Sequence, residues 1–180
     1  AATHMGETPL HYAALASTGT GRMAALLDAG ADIDEETDQG VTALMVAART
    51  ARLDMVEWLL DHGARVDART VKGDTALIMA SDGRNEWTRD FSFNSRIEQC
   101  LRRLVQAGAD INAANGGGVT AVLAATWGFH AGRVSCLLEL GADPNIADRD
   151  GRTPLSVAQA KGHAAMVEAL ASAARTRENA

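Results

Sequence analysis

Aromatic residues are scarce in this chain, at 4% of 180 positions. A core built on large rings is therefore excluded, and the small side chains that replace them suit short helices packed closely together. Cysteine is scarcer still, with Cys100 and Cys136 alone. They fall at different points of the pattern described below, so nothing aligns them for a bridge. Two helical thiols in an acidic chain fit a reducing compartment, and the cytoplasm is the expected location. Cations are outnumbered, 17 Lys and Arg against 23 Asp and Glu, for a formal net charge of −6. That balance argues against a nucleic-acid partner, whose recognition needs clustered Lys and Arg, and against anionic membrane surfaces. No apolar run is long enough to span a bilayer, and no charged-then-apolar signal opens the sequence.

What the chain does have is repetition. Threonine followed by a small or apolar pair recurs at Thr8, Thr42, Thr75, Thr120 and Thr153, with spacings of 34, 33, 45 and 33. Gly-Ala pairs recur at Gly30, Gly63, Gly108 and Gly141, with spacings of 33, 45 and 33. A period near 33 is the signature of a solenoid, in which each unit buries its apolar face only by stacking on its neighbours. The expected fold class is an α-helical repeat solenoid forming one domain over residues 1–180. Its units are 6–39, 40–72, 73–117, 118–150 and 151–174, and unit three carries about 12 extra residues near 83–95.

Each unit reads as two helices. Thr8 suits an N-cap, because its hydroxyl can accept a bond from a free helix N–H, and Pro9 suits the first helical position. Leu53, Val56, Leu59 and Leu60 place one apolar stripe on a second helix, which Gly63 can close in the left-handed conformation. The last unit ends in Ala173, Ala174 and a polar tail without a closing Gly-Ala-Asp, as suits a terminal cap.

Thr8-Pro9-Leu10-His11 with Ala13, Gly30-Ala31-Asp32, and Thr153-Pro154-Leu155 followed by Gly162-His163 resemble the ankyrin repeat. The resemblance covers about residues 6 to 174. It implies helix-loop-helix units joined by projecting β-hairpin fingers, and a usual role in binding other proteins. The chain departs from the family pattern at Ala43, Ala76 and Ala121, where the family has proline. It departs again at Met45, Ile78, Leu123 and Ser156, where the family has the histidine that ties adjacent hairpins. Those seams are expected to rest on apolar contact. The array is expected to open most readily around residues 83 to 118, where a helical pair is interrupted and a finger is glycine-rich.

The sequence offers no converging chemistry. His11, His62, His130 and His163 stand in different units at recurring positions, which suits structure better than a metal. Gly116-Gly117-Gly118 lacks the Lys-Ser/Thr that a phosphate loop needs. No Ser-His-Asp or Cys-His set can be assembled. The expectation is a non-enzymatic, monomeric scaffold or adaptor with no metal and no cofactor, whose partner is another protein.

By the resemblance, the first helices present Tyr12, Val46, Arg49, Met79, Asp82, Ala124 and Trp127 to a concave face. The variable finger positions correspond to Glu36, Asp38, Gln39, Arg69, Val71, Lys72, Arg149 and Asp150. The first finger, with Asp32, Asp34, Glu35, Glu36 and Asp38, is wholly acidic, while the second carries Arg65, Arg69 and Lys72. Such a strip could orient a charged partner. The insertion holds Trp87, Phe91 and Phe93, three of seven aromatics, and is expected to pack on the solenoid or to form a second contact. The partner-binding candidates are thus Tyr12, Glu36, Asp38, Val46, Arg49, Arg69, Lys72, Met79, Trp87, Phe91 and Trp127. Two alternatives stand beside the adaptor: a dedicated inhibitor or immunity protein, and a substrate of asparagine hydroxylation at Asn112 and Asn145, which correspond to a finger position modified in some ankyrin proteins.

Overall fold

In the computed structural model of this chain, residues 6–16, 20–82 and 91–178 are described. Ten helices are present among them: α1 (Pro9–Leu15), α2 (Gly21–Asp28), α3 (Ala43–Arg49), α4 (Leu53–Asp61), α5 (Ala76–Ser81), α6 (Phe91–Gln106), α7 (Ala121–Trp127), α8 (Ala131–Glu139), α9 (Pro154–Ala160) and α10 (Ala164–Glu178). The recurring threonines start the odd-numbered helices. The Oγ1 atoms of Thr42, Thr75, Thr120 and Thr153 accept bonds from the N–H groups of Met45 (3.4 Å), Ile78 (3.3 Å), Leu123 (3.4 Å) and Ser156 (3.2 Å). Each bond satisfies one of the donors that a helix start leaves without a partner.

The odd helices stack in one layer, α1 on α3, α3 on α5, α5 on α7 and α7 on α9. The even helices form a second layer, with α4 on α6, α6 on α8 and α8 on α10. The core lies between the layers and between successive pairs. Ala43 to Ala48 of α3 are all buried, and small side chains allow this closeness. Leu44, Leu77 and Leu123 are almost wholly buried, each contributing about 1.5–3 kcal/mol by leaving water. Both thiols belong to this core; burial pushes Cys100 up to about 12 and Cys136 up to about 11. Both side chains pack within the core, at 0% and 2% exposure.

Between units the chain makes fingers, and their construction corrects two expectations. First, no described residue is in a β-strand. Each finger is a tight turn held by two backbone bonds: Thr37 N–H donates to Val41 C=O, Thr70 to Asp74, Asn115 to Val119, and Asp148 to Arg152, each 3.0 Å, while the N–H groups of Gly40 (2.8 Å), Gly73 (2.7 Å), Gly118 (2.9 Å) and Gly151 (3.0 Å) donate back to the carbonyls of Thr37, Thr70, Asn115 and Asp148. Secondly, the seams do not rest on apolar contact alone. His11 does bridge to the next unit, with Nε2 2.8 Å from the Val41 carbonyl. Successive fingertips are also joined by backbone bonds, from Val71 N–H to Gln39 C=O (3.0 Å), Gly116 to Lys72 (2.8 Å) and Arg149 to Gly117 (3.0 Å). Nearer the helices, Asp34 accepts from Arg65 N–H (2.8 Å), Asp67 from Asp110 (3.2 Å) and Asn112 from Asp143 (2.8 Å). The turns bring unpaired backbone groups side by side, and pairing them across the seam costs no further chain ordering.

The insertion differs from a simple loop. Residues 91–95 belong to α6, which is 16 residues long where α4 and α8 have 9. Phe93 is half-buried against the core. Trp87 lies outside the described residues, as does the side chain of Phe91.

Candidate protein-binding groove

The threonine caps set the register of the odd helices, and that register aims one stripe of side chains outward. Residues four and seven after each of the first four threonines lie three apart and share a helix face. The pairs are Tyr12 and Leu15, Val46 and Arg49, Met79 and Asp82, and Ala124 and Trp127. All eight line hollows between this layer and the fingers. Leu15 was not among the sequence candidates, although its i+3 relation to Tyr12 points to it.

Three hollows follow one another. The first, about 170 Å³, lies among Glu7, Tyr12, Leu15, Gln39, Val41, Val46 and Arg49. The second, about 200 Å³, lies among Gln39, Val41, Val71, Lys72, Asp74 and Met79. The third, about 240 Å³, lies among Lys72, Asp74, Met79, Asp82, Val119, Ala124 and Trp127. Gln39 and Val41 wall both the first and second; Lys72, Asp74 and Met79 wall both the second and third. Each is smaller than the roughly 300–1,000 Å³ of a small-molecule site, and of a size to take side chains. A larger hollow of about 630 Å³, lined by Pro9, Tyr12, Ala13, Ala16, Arg22, Ala25 and Leu26, lies on the outer side of α1 and α2. It is the first unit's stacking face, whose counterparts in later units are covered by the unit before.

Exposure sorts the sequence candidates. Tyr12 is 49% exposed and its hydroxyl donates to Glu7 at 2.7 Å. Arg49 and Lys72 are exposed, Met79 and Trp127 are half-buried, and Val46 is buried in the floor. The Arg152 guanidinium lies 5.2 Å from the centre of the Trp127 ring, a cation–π contact. Glu36 and Arg69 do not line these hollows. Glu36 pairs with Arg65 at 3.1 Å, and Arg69 Nη1 donates to the Ala114 carbonyl of the next finger at 2.8 Å. Asp38 lies exposed against Gly6. The acidic-then-basic strip is therefore partly consumed within the molecule: Arg65 bridges to both Asp34 and Glu36, and the Asp34 carboxylate raises its pKa. Asn112 is likewise occupied, as the acceptor from Asp143.

Within the groove the charges are treated unequally. Glu7 accepts from Tyr12, and Asp74 accepts from Asn115 Nδ2 at 2.6 Å. Among the described residues, the Arg49 and Lys72 side chains have no ion pair or hydrogen bond. Val41, Asp74 and Val119, which follow the finger glycines, were also missed as wall residues. Their placement depends on how far each finger folds back, and the helix periodicity does not report that.

The architecture defines the class: a two-layer helical solenoid with fingers along one edge. The chain belongs to the ankyrin-repeat family. Family descriptions of the ankyrin repeat match residues 5–38, 26–80 and 92–179, leaving only the insertion region unmatched between them. Among curated proteins, it is similar to Rabankyrin-5 of Homo sapiens, 38% identical over 82 residues, or 38% of this chain and 7% of that protein. It is also similar to Rabankyrin-5 of Mus musculus, 34% identical over 92 residues, or 44% of this chain and 8% of that protein. The chain thus matches less than a tenth of the length of these relatives. Ankyrin repeats generally mediate contacts between proteins and are typically non-enzymatic. No helix among the described residues is long and apolar enough to cross a membrane, and no group of three or more His, Cys, Asp or Glu among them could hold a metal.

Proposed function

We propose that this chain is a protein-binding module whose partner lies along the groove formed by α1, α3, α5, α7 and the fingers. The observation that carries this reading is the continuity of the three hollows, which share walls from Tyr12 to Trp127. An exposed tyrosine at one end and a tryptophan at the other are the residue types that dominate binding energy when covered. The wall between them is rigid, because threonine caps hold the helices and backbone bonds hold the fingers. Little ordering cost then falls on the module when a partner binds.

The test uses the intact chain as bait in a pull-down, beside the Tyr12→Ala, Trp127→Ala double variant. A control variant, Glu168→Ala, changes an exposed position of α10. Loss of capture by the double variant alone, at an unchanged far-UV spectrum, is the expected result. Removing an anchor of this kind costs about 2 kcal/mol or more, roughly thirtyfold in affinity. Capture that survives the double variant but fails with the control would place the contact elsewhere on the molecule.

A further inference from the structure

The proposed groove also carries information about what it binds. The molecule as a whole is acidic, with a net charge of −6, yet the charges left uncommitted in the first two hollows are positive. Glu7 is engaged by the Tyr12 hydroxyl and Asp74 by the Asn115 amide, whereas Arg49 and Lys72 make no side-chain bond among the described residues. Arg22 and Arg149 are also exposed and unpaired among the described residues, but neither lines these three hollows, and other surface arginines are held in ion pairs. Arg52 bonds to Asp54, Arg65 to Asp34 and Glu36, Arg102 to Glu139, Arg103 to Asp61, and Arg152 to Asp148 and Asp150. Arg49 and Lys72 stand instead at the rims of apolar hollows, each beside Val41, and neither is in an ion pair with a described residue.

Resting on the groove reading above, we propose that the occupant is an extended acidic segment of a partner protein. Its apolar side chains enter the hollows, and its carboxylates pair with Arg49 and Lys72. The third hollow has a different character. Asp82 stands there with Met79 and Trp127, so the part of the segment lying there is neutral and apolar or aromatic. This alternation of cation and apolar hollow suits a polypeptide, in which charged and apolar side chains can alternate. It does not suit a nucleic-acid strand, whose continuous phosphates would meet Glu7, Asp74 and Asp82 and would need many more cations than two.

The experiment uses three labelled synthetic peptides of about twelve residues, roughly 40 Å when extended at ~3.3 Å per residue. One alternates Glu with Leu and ends in Phe-Leu-Phe. The second has Gln for every Glu, and the third has Lys for every Glu. Binding to the full chain is read by fluorescence anisotropy at about 50 and about 300 mM salt, over which exposed pairs are progressively screened. The acidic peptide should bind at least tenfold more tightly than the neutral one and lose affinity with salt, and the basic peptide should bind weakest. Arg49→Glu with Lys72→Glu should abolish the preference, or invert it, while the melting temperature holds, since neither side chain has a partner among the described residues. If the reversal disturbs the fold, Arg49→Gln with Lys72→Gln should still level the acidic and neutral peptides. Equal binding of the three peptides, sensitive to Tyr12→Ala, would overturn the acidic preference while leaving the groove reading in place. No binding by any of them overturns both. An acidic preference untouched by the Arg49 and Lys72 variants would overturn the assignment of these two cations.

Discussion

Arg133 shows how much can turn on one residue. Counting back eight from the closing glycines places it with Met55 and Cys100, and one unit on with Met166, which are 0–2% exposed. Arg133 is buried to the same degree, at 2%. An arginine at an apolar position needs a reason, and the neighbouring unit supplies it. Nη1 donates to the carbonyls of Ala80 (3.3 Å) and Ser81 (3.4 Å), and Nη2 donates to Asn94 Oδ1 at 3.0 Å. The carbonyls end α5, where helix geometry leaves them without partners, and Asn94 lies in the added turns of α6. Arg133 therefore ties together the two helices that the insertion separates. Burial lowers its pKa to about 10, opposed by Glu98 and Asp82, so the guanidinium stays charged at neutral pH. Arg133→Ala would leave two buried carbonyls without donors and open a cavity, a loss of roughly 2–4 kcal/mol. A thermal melt should show a fall of several degrees, with Arg133→Met, which refills the space, falling between the alanine variant and the parent. A methionine variant as stable as the parent would mean the hydrogen bonds add nothing.

Among the elements, the fingers follow one rule. Gly40, Gly73 and Gly118 have φ of +71°, +81° and +81°, and a Cβ on each would come within about 3 Å of the next finger's backbone. Gly151, at +76°, has nothing within 4 Å because it borders the last finger. Gly73→Ala thus combines left-handed strain of roughly 1–2 kcal/mol with a contact at 2.8 Å to the Gly116 nitrogen, while Gly151→Ala carries the strain alone. The melting temperature of Gly73→Ala should lie clearly below that of Gly151→Ala. Equal losses would show that the fingers can separate at no cost. The last finger has its own lock. Burial alone would raise the Asp148 pKa, but the N–H groups of Arg152 and Asp150 and the Arg152 guanidinium at 2.7 Å outweigh it, leaving the carboxyl below its ordinary value. A depressed folded-state pKa contributes stability above the unfolded value near 3.9, and that contribution fades as pH falls through the folded value. Asp148→Asn should therefore be less stable than the parent at pH 7, with the gap between their melting temperatures closing below about pH 4. A gap constant across that range would remove the charge from the explanation.

For the whole molecule, stability in a solenoid is close to a sum over units and seams. The expectation that residues 83 to 118 open first now meets an opposing observation. The glycine-rich third finger is bonded on both sides, through Gly116 N–H to Lys72 and through Gly117 C=O from Arg149 N–H. Hydrogen exchange decides between them. The amides of Val71, Gly116 and Arg149 should exchange much more slowly than surface turns do, and within an order of magnitude of one another. Exchange of Gly116 at the rate of an open loop would favour the weak-centre expectation. The periodic threonines, Gly-Ala pairs and apolar stripes determined the helices, their order and the solenoid, because those signals are local and each unit repeats them. The stripe on the groove was legible too, since helical spacing alone fixes which positions share a face. Arg133, the two uncommitted cations of the groove, the pairing of Glu36 with Arg65 and the bond from Arg69 to the Ala114 carbonyl were not legible. Whether a charged side chain is free, buried or paired depends on which backbone the neighbouring unit brings within about 3 Å, and only stacking decides that.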